Sequence, residues 1–256
     1  MCLIVVAFNA HPDYPLIMAG NRDEFHSRPS REAHWWPDRS DIVGGRDLLA
    51  GGTWLALHRG GRFAAVTNFR DAEQKSAKLR SRGHLVTGFL EQESRPQDYL
   101  KTIGESEYAG FNLLAADRGQ LGYLSNRGGG LRDLPVGIYG LSNATLDTPW
   151  EKVERTKAGL LALIEADTIN ATRLLRLLGD REKGPVDQAE SGRLPFATAH
   201  AITAPFIVLP DYGTRCSSIV IADSEGQWRF VERRFDPTGR VTGESQFSFR
   251  LGENVL

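Results

Sequence analysis

Cys2 puts a thiol at the second position, directly ahead of the apolar run Leu3-Ile4-Val5-Val6-Ala7-Phe8. Aminopeptidases remove an initiator methionine that precedes a residue as small as cysteine. Loss of Met1 would leave the thiol and a free α-amine on one residue, and a nucleophile needs a base close by. Reference pKa values are about 8.5 for the thiol and about 7.7–8.0 for the amine, so the amine can take the thiol proton directly or through one water. A second account needs no chemistry: free cysteine is among the most buried residue types, and Cys2 then simply opens a core strand.

A polar cluster, Asn21-Arg22-Asp23-Glu24, closes the next apolar segment. Alternation along a strand sets Asn21 and Asp23 on one face and Arg22 on the other. Pairing of this strand with the one that opens at Cys2 brings Asp23 within reach of the Cys2 amine, where a carboxylate would hold it and shape its protonation. Asn68, Asn143 and Arg215 follow or flank apolar strands in the same way. Asparagine favours strand ends and turns for purely local reasons. Its chemical use here would be as an amide donor to developing negative charge. Arg215 would hold a thiolate or a substrate carboxylate.

The elements that must position these residues are mostly hairpins. Residues 2–9 and 15–23 form one across His11-Pro12-Asp13-Tyr14, residues 53–58 and 63–69 a second, and residues 112–117 and 120–125 a third. A strand over 136–143, a hairpin of 217–223 with 227–235, and a last strand over 246–251 complete the β content. Helical spacing marks 83–92, a segment from Thr148-Pro149 to about Ala166 with Thr148 as its cap, and a segment capped by Asn170. Hairpins dominate and β-α-β crossovers are scarce, which predicts an α+β fold of antiparallel sheets with helices layered outside, in one domain over 1–256.

The 256 residues suffice for a core without staples, and 41% hydrophobic with 25% charged residues is ordinary for a globular protein. A net charge of -1 argues against nucleic-acid binding through bulk electrostatics. Two cysteines, Cys2 and Cys216, are too few for a disulfide framework and predict a reducing, cytoplasmic setting. The apolar start lacks a basic leader and reads as a strand, not a signal peptide, and no apolar run reaches the ~18 residues of a transmembrane span. The six histidines show no paired metal spacing, so no metal site is expected. The basic run Arg70, Lys75, Lys78, Arg80, Arg82 reads as a solvated loop, with a phosphate or propionate site as the alternative. Trp35-Trp36 covers the sheet or rims a pocket. Nothing in the sequence fixes the oligomeric state.

The ordered set Met1-Cys2, Asn21-Arg22-Asp23-Glu24-Phe25 with Arg28-Pro29, Gly51-Gly52-Thr53-Trp54, Thr67-Asn68, Ser81-Arg82-Gly83, Leu141-Ser142-Asn143 and Tyr212-Gly213-Thr214-Arg215 resembles the transport-and-Golgi-organisation-protein-2 family, also called the NRDE family. That family in turn resembles, more distantly, cysteine-type N-terminal-nucleophile hydrolases such as penicillin V acylase and bile-salt hydrolase. The resemblance implies an αββα sandwich, with Cys2 as nucleophile, Asp23 beside the amine, Asn68 and Asn143 as oxyanion donors, Arg215 near the thiol, and Asn21, Arg22 and Trp54 at the substrate. It implies hydrolysis of a carbon-nitrogen amide bond in a small-molecule or lipid substrate, with no cofactor required. Arg22 departs from the pattern: those hydrolases carry the arginine three residues before the aspartate, and here it is adjacent. The family also implies a second class of function, a carrier for haem or acyl-CoA without turnover, for which His26, His58 and Cys2 are the candidate haem ligands.

Overall fold

A computed structural model describes residues 2–70, 79–186 and 194–252. Thirteen strands make two antiparallel sheets. The first sheet has the order β10-β1-β2-β11-β12-β13, from β1 (Cys2–Phe8), β2 (Leu16–Phe25), β10 (Gly137–Leu141), β11 (Tyr212–Ala222), β12 (Gln227–Phe235) and β13 (Val241–Arg250). The second runs in chain order from β3 (Ser30–Trp36) and β4 (Arg39–Asp47) through β5 (Leu55–His58), β6 (Arg62–Asn68), β7 (Phe111–Ala116) and β8 (Leu121–Ser125) to β9 (Gly130–Leu134).

Every residue of β1 is buried, because both faces of its sheet are covered. Ile4, Val6 and Phe8 alternate toward the second sheet and join Leu55, Leu57, Phe63 and Tyr123 in the central layer. Val5 and Ala7 point the other way, onto α3 (Glu151–Glu165) and α4 (Ala171–Leu178), where Leu160, Leu174 and Leu178 are buried. On the far side α1 (Gly83–Leu90) and α2 (Pro96–Lys101) seal the second sheet with Leu85, Phe89 and Leu100. The result is an αββα sandwich, the layering expected from the hairpin-rich order. No helix among the described residues is long and apolar enough to cross a membrane.

The expected hairpins and three helices are present, with corrections. Asn170 caps α4, its Oδ1 accepting from the Arg173 N–H at 3.0 Å. Thr148 does not cap α3: Trp150 holds that position, and the Thr148 hydroxyl turns back to the Thr145 carbonyl. The β3–β4 hairpin, β9, α2 and α5 (Phe196–Ala201) were not predicted. Trp35 and Trp36 face opposite sides of β3, where Trp35 packs on Phe247 and Phe249 of the central layer. Trp36 is fully buried on the other face, and its indole N–H donates to the Gly44 carbonyl.

Candidate active site

Cys2, Arg22 and Cys216 form one row across β1, β2 and β11, since Arg22 lies opposite Cys2 on one side and opposite Cys216 on the other. Directly paired residues share a face. The row faces the second sheet, at the end where the central layer gives way to a cavity of about 550 Å³. Cys2, Arg22, Asp23, Trp54, Asn68 and Arg215 all line that cavity.

The nitrogen of Cys2 is held. Its N–H donates to Asn143 Oδ1 at 3.1 Å, and the Cys2 carbonyl accepts from the Ser142 hydroxyl at 2.8 Å. Asn143 Nδ2 donates to the Asn68 carbonyl at 2.7 Å, so this amide ties β1 in one sheet to the end of β6 in the other. Asn143 is therefore placed to position Cys2, and one of its two side-chain N–H donors is already engaged. The Asn68 side chain is exposed to the cavity and is the open amide of the pair.

Asp23 follows Arg22, the residue paired with Cys2, and is almost fully buried. The Thr214 hydroxyl donates to its Oδ1 at 2.7 Å and itself accepts from the Ile207 N–H. Burial pushes the Asp23 carboxyl up to about 6, against the opposing pull of cationic neighbours that include Lys152 and Arg22. Burial also raises the Cys2 thiol, as does the Asp23 charge, while Arg22 draws it down. An ammonium in place of the peptide nitrogen would add positive charge beside both groups.

Arg215 is the extra residue of a β-bulge between Thr214 and Cys216. Its Nη1 donates to the carbonyls of Phe25 and Arg28. The bulge corrects one expectation: simple alternation turns Cys216 away from Arg215's cleft, yet Cys216 also lines the cavity. Both cysteines are free thiols. Two strand spacings, about 9–10 Å, separate their backbones, beyond the reach of a disulfide. Cys216 lies near the buried Glu232, and its thiol is raised well above the ordinary value, first by burial and then by that carboxylate. Glu232 was missed in the sequence, although Trp228, Phe230 and Glu232 follow one inward alternation in which a carboxylate is conspicuous.

Asn21 does not reach the cavity. It is fully buried on the helix side of β2, donating to the carbonyls of Leu178 and Pro205 and accepting from the Ser217 hydroxyl. The bond to Leu178 anchors the end of α4 to the sheet. Arg22 does reach it, because the departure in spacing sets it in register with Cys2. Of the basic run, Lys75 and Lys78 lie outside the described residues. Arg80 is exposed and paired with Glu107, and Arg82 turns into the cavity with Nη1 on the Gly110 carbonyl. His26 and His58 do not line this cavity; His26 Nε2 lies 3.1 Å from the Leu209 carbonyl, and His58 Nδ1 accepts from the Gly60 N–H. Among the described residues no group of three or more histidine, cysteine or carboxylate side chains is arranged to hold a metal ion.

The family model described as Transport and Golgi organisation 2 matches residues 1–237. The chain belongs to the Transport and Golgi organisation 2 family. The human Transport and Golgi organization protein 2 homolog is 37% identical over 260 residues, covering 91% of this chain and 92% of that protein. The bovine homolog is 36% identical over 277 residues, covering 96% and 99%. Among solved structures, the C2A mutant of the conjugated bile acid hydrolase from Clostridium perfringens superposes with a TM-score of 0.52 at 10% identity, covering 99% of this chain and 94% of the other. That likeness identifies the N-terminal-nucleophile hydrolase fold for this member of the Transport and Golgi organisation 2 family.

Proposed function

We propose that this chain is a cysteine-type N-terminal-nucleophile hydrolase that cleaves a carbon-nitrogen amide bond of a small-molecule or lipid substrate, with Cys2 as the nucleophile after loss of Met1. The observation that carries the reading is the Cys2 nitrogen. It is the atom that becomes the α-amine, and it is already fixed by Asn143 Oδ1 at 3.1 Å, at the edge of a cavity that Asp23 also lines. A base pre-oriented beside its own nucleophile avoids the entropy of bringing the two together.

In this scheme the amine takes the proton from Sγ. The thiolate attacks the amide carbonyl carbon, and the carbonyl electron pair moves onto oxygen, toward the open Asn68 side-chain N–H. The intermediate collapses, the carbon-nitrogen bond breaks, and the leaving amine takes the proton held by the ammonium. Water then hydrolyses the thioester, with the amine again as base, to release a carboxylic acid and restore the thiol. Asp23 and Asn143 hold the amine in place. The scheme uses no cofactor.

Mass spectrometry of the purified chain together with Cys2→Ala tests it. The expected mature N-terminus is Cys2, and Cys2→Ala should lower amide hydrolysis at least about a thousandfold with an unchanged circular dichroism spectrum. Activity that survives in Cys2→Ala overturns the assignment. Retained Met1 with saturable haem or acyl-CoA binding and no turnover would favour a carrier.

A further inference from the structure

The cavity around Cys2 carries an imbalance of charge. Among the described residues eight arginines line it against five carboxylates, and no lysine contributes. Four of the arginines are matched. Arg28 sits 2.6 Å from Asp47, Arg46 2.6 Å from Asp38, Arg80 2.7 Å from Glu107 and Arg234 3.3 Å from Glu32. Arg31 is exposed to water. Of the remaining three, Arg22 has only Glu24 as an ion-pair partner, at 3.8 Å, and Arg82 and Arg215 have none among the described residues.

Arg22 is the sharpest case. The residue is nine-tenths buried, its nearest carboxylate is Glu24 at 3.8 Å, and Nη1 has no hydrogen-bond partner among the described residues. Glu24 is itself shared with Arg28 at 3.9 Å. Arg82 and Arg215 donate only to backbone carbonyls. A guanidinium withdrawn from water with a donor nitrogen left unsatisfied is costly, and a planar fork of donors suits a carboxylate or a phosphate.

We infer that Arg22 and Arg82, which line the same cavity, form an anion subsite, and that the amide substrate bears a carboxylate or phosphate a few bonds from the scissile carbonyl. The spacing follows from the register: Arg22 and Cys2 are direct cross-strand neighbours, about 5 Å apart along the sheet. The inference rests on the hydrolase reading of the same cavity and narrows it to acidic amides.

Calorimetry with three synthetic probes on the full chain carrying Cys2→Ala tests it without turnover. The probes share one acyl chain: N-hexanoylglycine supplies a carboxylate, N-hexanoyl-phosphoethanolamine a phosphate, and N-hexanoylethanolamine no charge. At least one anionic probe should bind ten times or more tighter than the neutral one, and the tighter of the two anions names the source of the charge. Arg22→Gln and Arg82→Gln should each erase most of that preference, while Arg82→Lys should keep it and report that the fold tolerates the position. Equal affinity for charged and neutral probes, no binding of either anion at millimolar concentration, or a preference unchanged in both Gln variants overturns the subsite. The two readings fail separately: selective anion binding by a chain that never hydrolyses an amide sinks the hydrolase alone, whereas turnover without charge preference sinks the subsite alone.

Discussion

The same three strands, β1, β2 and β11, build opposite environments at their two ends. Phe8, Leu16 and Ala222 pair at one end, followed by Val6, Met18 and Val220. Next comes a transitional row of Ile4, Gly20 and Ser218, and last the reactive row of Cys2, Arg22 and Cys216. All four rows face the second sheet in an identical ladder of hydrogen bonds. Side-chain chemistry alone separates a dry core from the floor of a cavity. The transitional row marks the border: a Cβ on Gly20 would stand 3.4 Å from the Trp54 ring, and Ser218 Oγ is buried with no hydrogen-bond partner among the described residues. Trp54 closes over that row and forms the wall between core and cavity.

The contrast can be broken from either end. Met18→Ala, at the dry end, should cost about 2–5 kcal/mol in chemical denaturation, the usual range for truncating a fully buried side chain. Cys2→Ala at the other end removes one sulfur beside a cavity and should cost far less. A Cys2→Ala chain as destabilised as Met18→Ala would show that Cys2 is core.

Asp23→Asn sharpens the comparison through pH. The folded carboxyl is raised from 3.8 to about 6, so folding favours its protonated form. The stability tied to that proton is fully present below about pH 4 and is lost as pH rises through about 6. The displacement corresponds to about 3 kcal/mol. Asparagine keeps an acceptor for Thr214 and never ionises. The stability of Asp23→Asn relative to the parent should therefore improve between pH 4 and pH 7, read from urea midpoints at each pH. A difference that is flat with pH would mean Asp23 does not titrate in that window.

Much of this architecture was legible because most strands keep period 2 and end at turn residues. The β1–β2 hairpin follows directly from Leu3–Phe8, His11-Pro12-Asp13 and the apolar run before Asn21. The β3–β4 hairpin escaped because its register slips between Arg31 and His34 and again between Trp35 and Trp36, so the alternation never repeats long enough to register. α2 has only six residues, too few for a helical period. At the site, the positions Cys2, Asp23, Asn68 and Arg215 were readable as polar residues at strand ends. The bulge that turns both Arg215 and Cys216 inward was not, since it adds one residue without altering composition. Asn143 was readable as an amide near the nucleophile, but which of its two polar atoms faces Cys2 is decided by the opposing sheet. Arg82 looked solvated because the surface its loop folds against comes from Gly110 and from Gly52-Thr53.

Under the proposed loss of Met1, the grip of Asn143 on the Cys2 nitrogen would set a clock on maturation. An aminopeptidase must hold the bond after Met1 in an extended, accessible form, but in the folded chain the nitrogen on its far side is the buried first donor of an interior strand. Trimming must then precede folding of that strand. β2 is complete at residue 25 and β10, which covers the other edge of β1, at residue 141. At about 5–20 residues per second on the ribosome, that interval lasts roughly 6–23 s. A chain refolded with Met1 still attached should resist methionine aminopeptidase that trims the same chain in urea, so the count of competent molecules would be fixed during synthesis.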